Sequence, residues 1–234
     1  MNPKVALWVL LVTISLDQAV ASPSSQPLSP SDSLRNERIV LKYLWPALDY
    51  GEKVGRIYYA AACQSDDNLA RSFPKLDVQP PPSGKSGLAA IREIFKKVHS
   101  ASVTEPEAGV INVRIGLVPN AILQARILSL NLSPAEQYNT WLAIGAIQNA
   151  PEVRSMMHKH SIRTPARPLN IQITKPTAGL PHLPGLITNI TFDQALNMVA
   201  KTFGGVVIYE FCTPPAQYEI DFANAGDIYA TTRP

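Results

Sequence analysis

The clearest hydrophobic pattern of the chain lies in residues 189–212, NITFDQALNMVAKTFGGVVIYEFC. Its apolar positions recur three and four residues apart, which predicts a helix with one buried stripe, formed by Phe192, Ala195, Leu196, Val199 and Phe203. Thr191 and Gln194 fit a capping box at the start of this helix, and Asp193 suits the positive end of its dipole. The glycine pair at 204–205 supplies the left-handed backbone that ends many helices. The runs VVIYEF and YEIDF then predict a hairpin across CTPPAQ.

Alternating apolar and polar residues mark further strands. In VINVRIG, which follows a turn through TEPEAG, one face carries Ile111, Val113 and Ile115 and the other Asn112 and Arg114, which predicts a half-buried strand. Residues 56–63 and 169–174 (LNIQIT) predict two more strands, and residues 73–78 (FPKLDV) a short extended piece. Residues 121–132 (AILQARILSLNL) fit either one long strand or a strand pair.

Caps and prolines predict the other helices. Ser86 caps a helix over Gly87–His99, after the flexible turn in SGKSGL. The capping box Ser133-Pro134-Ala135-Glu136 opens a helix to about Gln148, and Gly145 inside it indicates that another backbone packs closely there. A shorter helix runs from Pro151 to about His160. IVLKYLWPALDYG, from residue 39, fits either a short helix ended by Trp45-Pro46 or a strand.

This order of elements predicts an α+β fold in two layers, with helices packed on antiparallel or mixed sheets. Residues 37–132 form a first α+β segment and residues 165–234 a second one, which makes one compact unit with the first. Residues 133–164 are a helical connector, and so a helical insertion between two strand–helix–strand segments.

The amino-terminal residues predict export. Lys4 supplies a positive charge, residues 5–16 an apolar run, and Ala19-Val20-Ala21 a small-residue cleavage pattern, so residues 1–21 are predicted to be a signal peptide. An uncleaved membrane anchor is the alternative, but the run is shorter than the ~20 residues that span a bilayer. Ser/Pro-rich residues 22–36 are predicted to form a disordered tether before the fold.

Composition narrows the class of protein. Charged residues make up 17% and hydrophobic residues 46% of the chain, with 21 prolines, which suits a core-forming protein with rigid loops. The formal net charge is +3, without a dense run of Lys or Arg, so no nucleic-acid partner is predicted. No stretch after the signal is long and apolar enough to predict a transmembrane segment.

The chain has two cysteines, Cys63 and Cys212, and each ends an apolar, tyrosine-bearing run. In an oxidising compartment such a pair is a candidate disulfide that closes a long loop. If it forms, the strands that end near the two cysteines are neighbours. Two buried thiols or one reactive cysteine are the alternatives.

The histidines give no specific metal signal. His158 and His160 are two residues apart, so on a helix they point about 200° apart and cannot chelate one ion. They are predicted to be surface or interface residues. His182, between prolines in LPHLP, is predicted to have a structural or contact role.

Other candidate motifs are incomplete, and no catalytic, cofactor-binding or metal-binding residue is predicted. SGKSGL lacks a glycine that a Walker A loop needs and one that a G-x-S-x-G elbow needs. Asp66-Asp67 and the pair Glu105 and Glu107 are predicted to be solvated loop charges. Asn189-Ile190-Thr191 matches the N-glycosylation sequon, which matters only in a host that glycosylates.

The order strand, capped helix, strand, strand over residues 169–222 resembles the short amino-terminal domain of secretins and TonB-dependent receptors. The family's motif is matched by Ile190, Thr191, Ala195, Leu196, Val199 and Gly204. Residues 73–95 are similar to the family's first half. The resemblance implies an α+β periplasmic domain that binds other envelope proteins and from which no catalytic residues transfer.

These observations favour an exported, periplasmic or secreted, non-enzymatic envelope protein without a cofactor. It is expected to bind an envelope or secreted protein through strand edges or through its Tyr/Pro-bearing loops. The alternative is a small secreted hydrolase with a site near His158, His160 or His182. A structural envelope protein without a dedicated ligand is a third hypothesis.

Overall fold

A computed structural model describes residues 30–48, 53–63, 73–164, 177 and 179–224 of the chain. The elements follow one another as α1 (Pro30–Ala47), β1 (Val54–Ala62), α2 (Gly87–Ile94), β2 (Ala101–Glu107), β3 (Val110–Ile115), β4 (Arg126–Asn131), α3 (Pro134–Gln137), α4 (Thr140–Gln148), α5 (Pro151–Lys159), β5 (Leu186–Thr191), α6 (Phe192–Phe203), β6 (Gly205–Thr213) and β7 (Gln217–Asn224). The predicted signal peptide at 1–21, the predicted strand at 169–174 and Asp66-Asp67 lie outside the described residues. Within the described ranges, no helix is long and apolar enough to cross a membrane.

Five strands form one mixed sheet in the order β2-β3-β1-β6-β7. The three central strands β3, β1 and β6 are parallel, while β2 and β7 pair antiparallel at the edges. β4 and β5 form a separate antiparallel ribbon. The predicted α+β class, with helices packed on a mixed sheet, is confirmed. Since β1 pairs with β6, the first and second predicted segments share this sheet.

Helices cover both faces of the five-stranded sheet, one layer more than the two layers predicted. α1 and α2 pack on one face, against Ile57 and Ile208. α4, α5 and α6 pack on the other, against Tyr58 and Val207. The chain moves in one direction from β1 to β3 and in the opposite direction from β3 to β6. Because crossovers between parallel strands are right-handed, opposite directions place the two connections on opposite faces.

The strand predicted to be half-buried, β3, is covered on both faces. Asn112, predicted to point outward, is 6% exposed. Arg114 is half-buried. The reason is position, because β3 lies between β2 and β1, and interior strands of a parallel sheet are covered on both sides.

The capped helix that the sequence marks most strongly is confirmed. The Thr191 hydroxyl accepts a hydrogen bond from the Gln194 amide (3.1 Å), and the Gln194 side chain accepts one from the Thr191 amide (2.8 Å). Gly204 ends α6 with a positive φ of 64°. The predicted β6–β7 hairpin is confirmed as well.

The helix predicted from Pro134 to Gln148 is two helices. Its capping box at Ser133 and Glu136 is present, but α3 ends at Gln137. Asn139 then has an extended backbone, and its side chain accepts hydrogen bonds from the amides of Trp141 and Leu142, at 3.0 Å each. A new helix, α4, therefore begins after Asn139. The close backbone contact predicted at Gly145 is absent from the described part, since a Cβ there would meet nothing within 4 Å.

Two other helix predictions need correction. α2 ends at Ile94 rather than near His99, and the Ser86 side chain makes no capping hydrogen bond. Residues 39–47 of the ambiguous stretch are helical, and their helix α1 begins at Pro30, inside the predicted tether of residues 22–36. The helix starts this early because its first turns are tied to the core: the buried Ser33 hydroxyl donates a hydrogen bond to the Phe73 carbonyl (3.1 Å).

The stretch TEPEAG, predicted as a turn, extends edge strand β2 as far as Glu107. Its register shifts between Thr104 and Glu107, around Pro106. A proline is tolerated here because an edge strand has one side without ladder hydrogen bonds. The predicted extended piece at 73–78 forms no strand, although Phe73 is buried against Tyr59 with ring centroids 4.9 Å apart. Residues 121–132 contain one strand, β4, after a turn.

Candidate functional site

The predicted disulfide is confirmed: Cys63 and Cys212 are bonded, with Cα atoms 4.8 Å apart. The bond follows from the pairing of β1 with β6, which places Cys212 opposite Ala61 at the carboxyl ends of two parallel strands. After β1 the chain goes towards β3, and after β6 it goes to β7 on the other side. In open sheets, ligands commonly bind between two strands whose connections diverge in this way. Here a covalent bond joins the two strand ends at that position.

Beneath α6, the same sheet carries a buried arginine. The Arg56 side chain on β1 is fully buried, and its Nη1 donates hydrogen bonds to the Asp193 carbonyl and to Asn197 Oδ1, each at 2.7 Å. Nη2 lies 2.9 Å from Asp193 Oδ1 as an ion pair, without the geometry of a hydrogen bond. Asp193 and Asn197 are four residues apart on α6, so they lie on the same face of the helix and reach one guanidinium together.

Tyr58, two residues along β1, faces the same helix. Its hydroxyl donates a hydrogen bond to Asp193 Oδ1 at 2.9 Å. The guanidinium carbons of Arg56 and Arg114 lie 4.5 and 4.6 Å from the centroid of its ring. Burial raises the pKa of Tyr58 well above its usual value, and the nearby Arg56 lowers it in part. The phenol therefore stays neutral near neutral pH and acts as a hydrogen-bond donor.

The network continues to the edge of the sheet. Asn197 Nδ2 donates a hydrogen bond to Glu107 Oε2 at 3.2 Å, and Lys201 pairs with the other oxygen of that carboxylate. Glu107, predicted to be a solvated loop charge, therefore joins edge strand β2 to α6. Glu105 remains exposed, and its carboxylate accepts a hydrogen bond from the Gly109 amide at 3.0 Å.

The sequence interpretation missed this cluster because it treated α6 only as a scaffold. Two signals were present. Arg56 and Tyr58 alternate along a strand that is otherwise apolar, which places both on one face. Asp193 and Asn197 are polar residues at i, i+4 spacing beside the apolar stripe. Neither pattern indicates the other, since the two elements are 137 residues apart.

A second feature, on the exposed side of the molecule, is the surface formed by β4, β5 and the loop 179–185, which we call the ribbon surface. Leu128, Leu180 and Leu186 are 63, 41 and 53% exposed on it. Since Leu186 pairs with Asn131 and Ile187 with Leu130, Leu128 and Leu186 lie on opposite faces of the ribbon. No Asp, Glu, Lys or Arg occurs in residues 127–135 or 179–191, although such residues make up 17% of the chain. The ribbon surface is thus accessible and poor in charge. Its charged groups are Arg126, the first residue of β4, and Glu152 of α5, whose Oε1 accepts a hydrogen bond from the Leu128 amide at 3.0 Å.

His182, predicted to have a structural or contact role, lies in the loop of this surface. Its ring stacks on Tyr138, with centroids 4.9 Å apart and planes at 18°. Its Nδ1 lies 3.2 Å from the Leu180 carbonyl, so the tautomer with a proton on Nδ1 donates there. His158 and His160 are exposed at the carboxyl end of α5. Among the described residues, no group of three or more His, Cys, Asp or Glu could hold a metal ion.

The sequon asparagine is at the edge of the same surface. Asn189 is exposed with a φ of 56°, and its Oδ1 accepts a hydrogen bond from Arg126 Nε at 2.8 Å. The sequon threonine, Thr191, uses its hydroxyl as the cap of α6.

Comparisons with protein-family models, with curated proteins and with solved structures gave no match to this chain. The resemblance to the short domain of secretins and TonB-dependent receptors stays a prediction.

Proposed function

We propose that this chain is an exported, non-enzymatic module that binds another exported protein through the ribbon surface. The observation that carries the proposal is the exposure of three leucines on the ribbon surface, whose residues 127–135 and 179–191 include no Asp, Glu, Lys or Arg. Interface centres are depleted in charge, and exposed apolar patches commonly mark protein contacts. The partner expected from this chemistry offers an apolar or aromatic patch.

The loop of the ribbon surface is held in place before any partner binds. The Leu132 amide donates to the Gly185 carbonyl at 2.8 Å, and the Leu183 amide donates to the Gln137 carbonyl at 2.9 Å. Gln137 Nε2 in turn donates to the Leu132 carbonyl at 3.0 Å. A surface fixed in this way loses less conformational entropy on binding, which favours affinity.

The edges of the main sheet fit a strand-adding partner less well. β2 carries a register shift, Pro106 and two glutamates, which are features that protect edge strands from pairing. The beginning of β7 is already bonded to Arg163, whose amide donates to Ala216 and whose carbonyl accepts from Tyr218. These contacts favour the proline-bearing loop 179–185 over the edges of the main sheet as the binding element.

Export is part of the proposal. The Cys63–Cys212 disulfide suits an oxidising compartment, where such bonds persist. The signal peptide predicted for residues 1–21 and the resemblance to an envelope domain family agree with that location.

The test is site-specific photo-crosslinking in the native host. A photoreactive side chain at Leu186 is expected to capture one protein, which mass spectrometry identifies and which is then purified and titrated against the chain. Leu128→Glu with Leu186→Glu places charges at an apolar contact and is expected to abolish that binding. Leu117→Glu is the matched control, because Leu117 is a 95% exposed leucine outside the ribbon surface.

Equal binding by the double variant and by Leu117→Glu would overturn the proposal. So would a crosslink that yields only a second copy of this chain, since the proposed occupant is a different protein. The hydrolase hypothesis remains separate: it requires an activity that is lost when His158, His160 or His182 is replaced by alanine.

A further inference from the structure

Arg114 is a half-buried cation at the carboxyl end of β3. Its Nη1 donates a hydrogen bond to Asn120 Oδ1 at 2.7 Å, and its guanidinium packs on the Tyr58 ring. Among the described residues, no carboxylate forms an ion pair with Arg114. By contrast, the other guanidinium on this face, that of Arg56, is balanced by Asp193. The face therefore carries one positive charge more than its described carboxylates neutralise.

Three buried polar atoms on the same face have no hydrogen-bond partner among the described residues: Tyr209 Oη, Arg56 Nε and Asn112 Oδ1. Their side chains belong to residues that are 1%, 1% and 6% exposed. Buried polar atoms are nearly always paired, so each such atom calls for a partner beyond the described residues, such as a water or a bound molecule.

The strand register brings these groups together. Asn112 on β3 lies directly opposite Arg56 on β1. In the next row on that face, Tyr58 lies between Arg114 on β3 and Tyr209 on β6. The rings of Tyr58 and Tyr209 have centroids 6.0 Å apart. Two guanidiniums and an unpartnered phenol therefore occupy two adjacent rows on three parallel strands.

The phenol is a donor at neutral pH. Burial raises the pKa of Tyr209 far above its usual value, with Tyr218 adding to this effect, while Arg114 and Arg56 lower it in part. The last two effects also indicate that both guanidiniums act on the Tyr209 hydroxyl. A neutral phenol and an arginine both donate hydrogen bonds, and an oxyanion can accept them.

We propose that this face of β3, β1 and β6 binds the carboxylate or phosphate group of a small molecule. Arg114 supplies the ion pair, and Tyr209 Oη and Arg56 Nε supply hydrogen bonds. The side-chain oxygen Oδ1 of Asn112, an acceptor, holds a bridging water or a hydroxyl of the ligand. Of the three donors, Arg114 is the one nearest solvent, since it is half-buried while Tyr209 and Arg56 are each 1% exposed. The inference is independent of the ribbon surface.

The test uses the whole exported chain with sodium phosphate and sodium acetate as probes, and sodium chloride at the same ionic strength as reference. The midpoint temperature of thermal unfolding is expected to rise and then level off as phosphate or acetate is added, and to stay unchanged with chloride. Arg114→Gln is expected to lower the affinity for the anion about tenfold or more, since a charge-assisted contact is lost. Tyr209→Phe, which removes one donor, is expected to weaken it less.

Arg126→Gln is the matched control, because Arg126 also donates to an asparagine but is exposed. Its anion affinity is expected to equal that of the unmodified chain. Absence of a saturable effect, or equal loss in Arg126→Gln and Arg114→Gln, would overturn the site. Should a variant fail to fold, a phosphate titration of the unmodified chain, followed by NMR, tests the proposal instead. Phosphate must then shift the Arg114 side-chain signal and leave that of Arg126 in place, and the reverse result rejects the proposal.

Discussion

Arg56 of β1 and Asp193 of α6 meet across 137 residues of chain, with Nη2 2.9 Å from Oδ1. The pair binds α6, the helix with the capping box at Thr191, to β1, the central strand of the sheet. Because the guanidinium is fully buried, its stability depends on the partners that α6 supplies. Removing one of them leaves a charge that water cannot reach.

Asp193→Ala is therefore expected to lower the free energy of unfolding by roughly 3 kcal/mol, measured by urea denaturation. Glu93→Ala is the control, since Glu93 pairs with Lys96 on the surface at 3.6 Å. An exposed pair of this kind contributes about 0–1 kcal/mol. Similar losses in both variants would show that the Arg56 pair is no more important than a surface one.

The disulfide is expected to contribute to stability mainly by restricting the unfolded chain. With Cys63 and Cys212 separated by 149 positions in the sequence, loop-closure entropy corresponds to a contribution on the order of 5 kcal/mol. Replacing both cysteines by alanine should lower the urea midpoint to match, and reductant should have no further effect on that variant. Alkylation of the native chain without reductant should add no mass. Labelling of two thiols in the native chain would contradict the bond.

Replacing a glycine by alanine is expected to have opposite effects on stability in helix α4 and in strand β6. At Gly145, inside α4, a Cβ meets nothing within 4 Å, so Gly145→Ala should stabilise by about 1 kcal/mol through helix propensity. At Gly205, which begins β6, a Cβ would lie 2.5 Å from Phe222 Cζ and 2.6 Å from the Ala223 carbonyl oxygen. Gly205→Ala should therefore destabilise. Thermal unfolding of the two variants checks the signs, and equal signs would refute the packing described.

Stability is expected to fall at alkaline pH. Burial raises the pKa of Tyr58, Tyr209 and Tyr218 above the usual value near 10. Above pH 10 the unfolded chain loses these protons while the folded chain keeps them, so the unfolded state binds fewer protons and unfolding becomes more favourable as pH rises. The stabilising contribution is complete below about pH 10.

Urea midpoints measured from neutral pH to beyond pH 10, with tyrosinate absorbance recorded in parallel, check this dependence. Tyr209→Phe should flatten the decline, because one of the three groups is removed. A midpoint that stays level above pH 10, or native tyrosinate absorbance from all three residues at that pH, would argue against their burial.

The features that the sequence predicted most accurately are those that depend on interactions between residues close together in the chain. The capping boxes at Ser133 and Thr191 were predicted with their partners, because a cap joins residues three apart. The α6 stripe, its glycine end and the β6–β7 hairpin follow from spacing along a single segment. The Cys63–Cys212 pair was reachable too, since the chain has no other cysteine.

Predictions failed where a residue's surroundings come from elsewhere in the chain. Asn112 alternates as a solvent-facing residue should, yet it is buried because it lies beside Arg56 on the face of the sheet that α6 covers. Gly145 was expected to mark a close contact, and the packing of α4 leaves space there instead. Asn139 has the residue type of a helix cap, but within a continuous apolar pattern it gave no sign that a new helix begins.

The sequence by itself determined where α3 and α6 begin and where α6 ends, the α+β class and the candidate disulfide, because each rests on neighbouring residues or on composition. Only the tertiary structure decided that Asp193 and Asn197 bind Arg56, that Arg114 has no carboxylate partner among the described residues, and that β4 and β5 pair as one ribbon. The physical reason is that these relationships depend on strand order and on the face that each connection covers. Both are fixed by packing across the whole chain, and neither is encoded in any one segment.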